Sequence, residues 1–176
     1  MTPMESTLHR ARLCIASPTI GVDWADAGRL VGEHIAWLEE VVHLDAEASQ
    51  HDSTDELASL EAFYHEPEGR FLLGYLNGVA SGIMGVHMMD GGTAELRRVW
   101  VTPSARGHGL APVMLQAAID AAKDLGARRI WLETASGYMD AAIAMYKRAG
   151  FREIPDYTDL REAVPTLVVL GLDLRL

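Results

Sequence analysis

Apolar positions along this chain recur with two different periods, and the changes of period divide it into elements. Trp24, Ala27, Val31, Ile35, Leu38 and Val42 are spaced by threes and fours, the pattern of one helix face. Asp23 is placed to cap that helix. A short strand is expected before it, in ARLCIASP (11–18), ended by Pro18 and Gly21. After a polar stretch (46–54), Ser53 or Thr54 can cap a second helix with Leu57, Leu60 and Phe63–Tyr64 on its apolar side, stopped by Pro67 and Gly69. The period then shortens. RFLLGYL (70–76) and VASGIMGVHMM (79–89) flank Asn77-Gly78, a two-residue hairpin signal. Asp90-Gly91-Gly92 turns the chain into a third strand, AELRRVWV (94–101). Leu110, Met114, Ala117, Ala121 and Leu125 then mark a long helix from about residue 107, closed by Gly126. RRIWLET (128–134) reads as a strand, 139–149 as a helix stopped by Gly150, and TLVVLGLDL (166–174) as a final strand, with a short extra strand from Phe151. The order predicts a mixed sheet covered by helices.

A chain of 176 residues fits one domain, 1–176, and buries enough surface to need no staple. Cys14 is alone, so no internal disulfide forms, which suits a reducing, cytoplasmic setting. No apolar run reaches the ~20 residues of a membrane span, and the first residues do not read as a signal peptide. The seven histidines (His9, His34, His43, His51, His65, His87 and His108) show no metal-ligand spacing, so no metal site is expected. Apart from His108, they read as surface or partly buried groups.

Net charge is -10, and its location matters more than its size. Glu39 to Glu68 holds ten acidic residues and no Lys or Arg, while the rest of the chain balances. Such a zone repels nucleic acid and anionic lipid and attracts cations. A solvated helix face would look the same.

The richest chemistry lies in ELRRVWVTPSARGHGLAPVMLQAAIDAA (95–122). A strand runs into a turn with Gly107 and Gly109, and a helix opens inside the turn. Glycines admit a ligand close to the backbone, and first-turn N–H groups with the helix dipole favour an anion. Arg106 adds a forked donor suited to phosphate. The 106–111 turn is therefore a candidate phosphate or pyrophosphate cradle. It lacks the Lys-Ser/Thr of a P-loop and the third glycine and ribose-binding acid of the dinucleotide fingerprint. A turn that merely needs positive φ remains an alternative.

Arg106-Gly107-His108-Gly109-Leu110-Ala111 resembles the Q/R-x-x-G-x-G/A motif of the GCN5-related N-acetyltransferase (GNAT) superfamily. AIAMYKRAGFREIPDY (142–157) resembles the family's second block, and the element order agrees along nearly the whole chain. The resemblance implies a single α/β domain with a mixed, mostly antiparallel sheet between helices, using acetyl-CoA to acetylate an amine by direct attack. It places the pyrophosphate on the amides of Gly107, His108, Gly109, Leu110 and Ala111 with Arg106. It places the pantetheine arm along Val99, Trp100 and Val101, on a strand splayed from its neighbour, with the Val101 N–H polarising the thioester. Tyr146 takes the position of the family's general acid, against core packing as the alternative. Glu95 takes that of a general base, against simple pairing with Arg97 or Arg98. By strict alternation Glu95 shares a face with Arg97, Val99 and Val101. Glu133 is a weaker base candidate. Met139 stands where the family often has a pantetheine-binding Asn, with Asp140 adjacent. The acceptor's wall would include residues 39–68, Asp156 and Asp159, which points to a small-molecule or protein amine of cationic character. Nucleic acid and membrane are not expected partners, and a homodimer falls within the family's range. A non-catalytic acyl-CoA sensor and an enzyme for longer acyl chains stay open.

Overall fold

The computed structural model describes residues 11–18, 21–42, 54–154 and 169–176. Among the described residues seven strands form one sheet: β1 (Leu13–Ala16), β2 (Gly69–Leu76), β3 (Val79–Met89), β4 (Thr93–Val101), β5 (Arg129–Ala135), β6 (Arg152–Ile154) and β7 (Val169–Arg175). Their order is β1-β2-β3-β4-β5-β7-β6. Every neighbouring pair is antiparallel except β4–β5. Helices α1 (Gly21–Trp37), α2 (Thr54–Ala58), α3 (Leu60–Phe63), α4 (Leu110–Asp124) and α5 (Asp140–Arg148) complete the described fold. The mixed sheet expected from the element order is observed, and it is mostly antiparallel, as the family resemblance implies.

Asn77 and Gly78 take φ of 53° and 85°, the paired positive values of a type I′ turn. Asn77 also ties the hairpin to the start of β1, accepting from the Arg12 N–H at 3.0 Å and donating its own N–H to the Arg12 carbonyl at 2.9 Å.

Two expectations about helix ends change. Helix α1 begins at Gly21, so Asp23 lies in its first turn instead of capping it; it still favours the dipole there. The helix continues into a wider π-helical turn, Leu38–Val42. The second helix is two short ones. Ser59 adopts an extended conformation and its Oγ accepts from the Ala62 N–H at 3.2 Å, so it caps α3 and interrupts the run. Ser53, part of the polar stretch and the beginning of 166–174 lie outside the described residues.

The sheet separates two cores. On one face α4 lays Leu110, Met114, Leu115, Ala118 and Ala122 on Leu72, Met84, Leu96, Ile130 and Leu132, with Met145 and Tyr146 of α5 joining. On the other, Ala27, Leu30 and Val31 of α1 meet Phe71, Leu73, Ile83 and Trp100, with Tyr64 alongside. Glycine lets both layers approach. Gly74 and Gly82 are opposite each other, and a Cβ on either would meet Met114 Sδ, at 2.3 and 2.7 Å. On the other face a Cβ at Gly85 would lie 2.4 to 2.6 Å from the Tyr64 phenol ring and hydroxyl. Methionine can swing aside; the buried Tyr64, hydrogen-bonded to Glu56, cannot. Gly85→Ala should therefore cost about 1–3 kcal/mol of stability. The check is a lower urea midpoint at unchanged slope; an unchanged midpoint would show that Tyr64 has room to retreat.

Candidate active site

Parallel pairing of β4 with β5 covers three rungs, Thr93↔Arg129, Ala94↔Ile130 and Glu95↔Trp131, and then stops. Beyond it β4 continues to Val101, while β5 continues to Ala135 paired with β7. The two strands part, and the unpaired edges face a gap.

A one-residue bulge sets which groups face it. Gly85 pairs with Arg97 and Ile83 with Trp100, so two steps on β3 correspond to three on β4. The extra residue falls at Arg98, whose φ is 52°. The bulge overturns the strict alternation expected along β4. Glu95 and Arg97 lie on the α1 face, where Arg97 approaches the Phe63 ring at 5.9 Å. Val99 and Val101 pack with Ala94 and Leu96 on the opposite face. The main chain follows the same logic. The Thr102 N–H donates to the Ser81 carbonyl at 2.9 Å, so Val101, one residue earlier, turns its N–H and C=O away from β3 and toward the gap. Val99 has the same orientation two residues back. Trp100, between them, is paired with Ile83, so its main chain is turned to β3.

The turn after β4 is open. Gly107 and Gly109 take φ of 79° and 82°, and a Cβ on either would meet nothing within 4 Å. Positive φ, not crowding, therefore requires glycine at both. Gly109 is the N-cap of α4 and, lacking a side chain, makes no side-chain cap hydrogen bond. The first-turn N–H groups of α4 find no side-chain acceptor on the cap residue, and Pro112 contributes no N–H. Leu110 buries its side chain in the core and Ala111 packs against it, leaving their amides at the helix mouth. His108 is exposed, with Nδ1 3.0 Å from the Arg106 carbonyl. The Arg106 side chain folds back along β4. Its Nε donates to the Val101 carbonyl at 3.1 Å, and its guanidinium lies 4.9 Å from the Trp100 ring centroid.

Tyr146 is 3% exposed and packs on Phe151. Burial raises its pKa above the ordinary phenol value, so it keeps its proton at neutral pH. It belongs to the same core that Val99, Val101 and Ala111 pack against. Glu95 is across the sheet, its carboxylate 2.7 Å from Arg97 Nη1. Glu133 is on β5 opposite Gly171. Met139 accepts a contact from the Thr134 hydroxyl at 3.3 Å, and Asp140 accepts from the Gly137 N–H at 2.9 Å, closing the turn before α5.

This frame is shared. The sequence profile of the Acetyltransferase (GNAT) family matches residues 34–151, more than half of the chain. The chain belongs to the GNAT family of acetyltransferases. An uncharacterized N-acetyltransferase of Schizosaccharomyces pombe is 30% identical over 122 residues, 68% of this chain and 73% of that one. One of Escherichia coli is 31% identical over 104 residues, 57% of this chain and 61% of that one. An acetyltransferase of Streptococcus agalactiae superposes with a TM-score of 0.72 at 19% identity, covering 93% of this chain and 98% of the other. A Salmonella typhimurium protein solved with its cofactor acetyl-CoA gives 0.69 at 20% identity, covering 93% of each. With the family comes its class, the acyl-CoA-dependent N-acetyltransferases. The resemblance drawn from the two sequence blocks is thus borne out, as is the GNAT-like fold.

The GNAT chain carries buried polar groups that the two blocks do not announce. Glu56, Arg97 and Arg98 form ion pairs under β4. The tandem Arg97-Arg98 inside an apolar strand was their one sequence signal. His34, read as a surface or partly buried group, is 8% exposed and stacks on Trp100 at 5.5 Å, with Trp37 5.5 Å from the same indole. Its place three residues after Val31, on the apolar face of the helix, is the signal for its burial.

Burial, with the Arg98 charge second and only partly offset by Glu56, lowers the His34 pKa to about 4. The unfolded chain, with an ordinary histidine, binds the proton more readily between pH 4 and 6.5, so His34 opposes stability as pH falls through that window. Its share of the loss from pH 7 to pH 5 should be about 2 kcal/mol. Urea unfolding at both pH values checks this: His34→Phe should flatten the dependence, and an equally steep fall in the variant would exclude His34 as the source.

Proposed function

We propose that this GNAT domain transfers an acetyl group from acetyl-CoA to an amine by direct attack, and that the acceptor is a small cationic amine. The parting of β4 from β5 carries the reading. It opens the sheet beside a glycine-lined helix start, so one extended ligand can meet both. The related fold of the Salmonella protein, solved with acetyl-CoA, supports the same donor.

The residues fit such a donor. The amides of Gly107, His108, Gly109, Leu110 and Ala111 would hold the diphosphate, with the positive end of the α4 dipole behind them. The Arg106 charge adds to the field at the turn, and its Nε fixes the Val101 carbonyl. Val99 and Val101 would line the gap with main-chain donors and acceptors, and the Val101 N–H would stabilise negative charge developing on the carbonyl oxygen during attack. Acetyl-CoA supplies the thioester carbon that the amine attacks. Glu95, at the last paired rung and on the α1 face, would take the amine's proton directly or through water. Tyr146, protonated and on the other face, would give a proton to the departing thiolate. The gap is where the two faces communicate, so base and acid can serve one reaction from opposite sides.

The cationic character of the acceptor rests on fewer charges than the sequence counted. Glu66 pairs with Arg70, and Glu56 is buried. Glu39, Glu40, Asp55, Glu61 and Glu68 are exposed and remain available to an amine. Asp45, Glu47, Asp52, Asp156 and Asp159 lie outside the described residues.

Thiol release measured over a panel of amines tests the reaction. Cationic acceptors should turn over fastest at low salt and lose that advantage as salt rises; faster turnover of neutral or acidic amines would exclude the acceptor class. Tyr146→Phe should lower kcat about a hundredfold with little change in calorimetric CoA affinity, whereas Arg106→Glu should weaken CoA binding. CoA binding without turnover on any amine, together with a silent Tyr146→Phe, would mark a sensing module.

A further inference from the structure

Consecutive strand residues normally point to opposite faces. Arg97 and Arg98 do not. The left-handed conformation of Arg98 turns both guanidinium groups to the α1 face, and both end on one carboxylate. That carboxylate is Glu56 of α2, 0% exposed. Arg98 grips it with two prongs, Nε to Oε1 and Nη2 to Oε2, each at 3.0 Å. Arg97 adds Nε at 3.2 Å and Nη2 at 3.0 Å, both to Oε2. The Tyr64 hydroxyl donates to Oε1. Burial alone would push the Glu56 carboxyl up, but Arg98 and Arg97 hold it below the usual carboxylate range. A fully bonded, ionised side chain from a short helix thus lies on the one strand residue outside glycine's usual company at positive φ within β4.

Arg98 is the extra residue of the bulge. A β4 strand relaxed into regular pairing at this point would slip by one position, and a one-residue slip exchanges the two edges and the two faces of everything beyond it. Val101 would then turn its N–H toward β3, and Trp100 would leave its stack with His34. β5 does not prevent this slip across the gap, because its pairing with β4 ends at Glu95. Arginine has no intrinsic preference for the left-handed region, so the conformation must be held by what its side chain binds.

We infer that Glu56 is a positioning residue for the acyl donor: by clamping Arg98 it holds the bulge that presents the Val99 and Val101 main chain to the gap. It acts through Arg98 and touches neither substrate. The inference rests on the donor-site reading above.

The test uses the full chain and calorimetric titration with CoA, alongside steady-state kinetics. Glu56→Gln keeps the shape and loses the charge. It should weaken CoA binding about tenfold or more and raise the KM for acetyl-CoA more than that for the amine. Glu56→Gln/Arg98→Gly should recover most of the CoA affinity, since glycine adopts positive φ without a clamp, although its melting temperature should stay low. A purely stabilising role would leave CoA affinity of the folded Glu56→Gln protein unchanged, and that result, or failure of Arg98→Gly to restore lost affinity, overturns the inference. Should Glu56→Gln not fold, Arg98→Gly and Arg98→Val decide: glycine should keep CoA affinity and valine lose it, and equal affinities overturn it. A wild-type chain that binds no CoA would instead overturn the donor-site reading, and this inference with it.

Discussion

The molecule is organised around an interruption of hydrogen bonding. A sheet in which every strand paired along its full length would offer no main-chain groups to a ligand in its interior. Here β4 and β5 share three rungs and then separate, and a single extra residue on β4 decides which backbone groups are turned to the opening. Buried N–H and C=O groups need partners, so an opened edge is tolerated where a ligand or solvent can supply them. The glycine-capped start of α4 beside it repeats the principle with a helix in place of a strand.

Two cores make that opening stable. Because α1 with Tyr64 covers β2, β3 and β4 on one face and α4 with α5 covers the sheet on the other, β4 is held from both faces beside the gap, and β5 by the α4 face and by β7. Glycines at 74, 82 and 85 let the covering side chains press directly on the sheet backbone. The Glu56 cluster adds a polar anchor on the α1 face. Removing one member of such a buried set leaves uncompensated charge, so its members depend on one another.

The acidic segment shows how charge counted along a sequence divides once folded. Part of it neutralises neighbours, as with Glu66 and Arg70; part is internal, as with Glu56; and part faces solvent. Only the last can act on a partner, and the sequence carries no label separating the three. Glu56 stands in a helix pattern beside Leu57, yet Glu56 is the buried one and Leu57 is 36% exposed.

Much was legible in advance because it depends on local physics. Asn77-Gly78 favours a type I′ hairpin, Gly107 and Gly109 supply positive φ, and the three-and-four spacing of α4 marks a buried face; each follows from residues adjacent in the chain. The two blocks around Arg106 and Tyr146 made the family readable for the same reason. Side-chain direction after Arg98, the burial of Glu56 and His34, and the split at Ser59 were not readable. Strict alternation assigned Glu95, Val99 and Val101 to one face, and the bulge put them on two. A bulge is stabilised by contacts from elsewhere in the chain, here a carboxylate 42 residues earlier. By itself, then, the sequence determined the elements, their order and the local turn chemistry. The tertiary structure alone decided which groups face the gap, because that depends on a long-range ion pair whose strength exists only once its partners are brought together out of water.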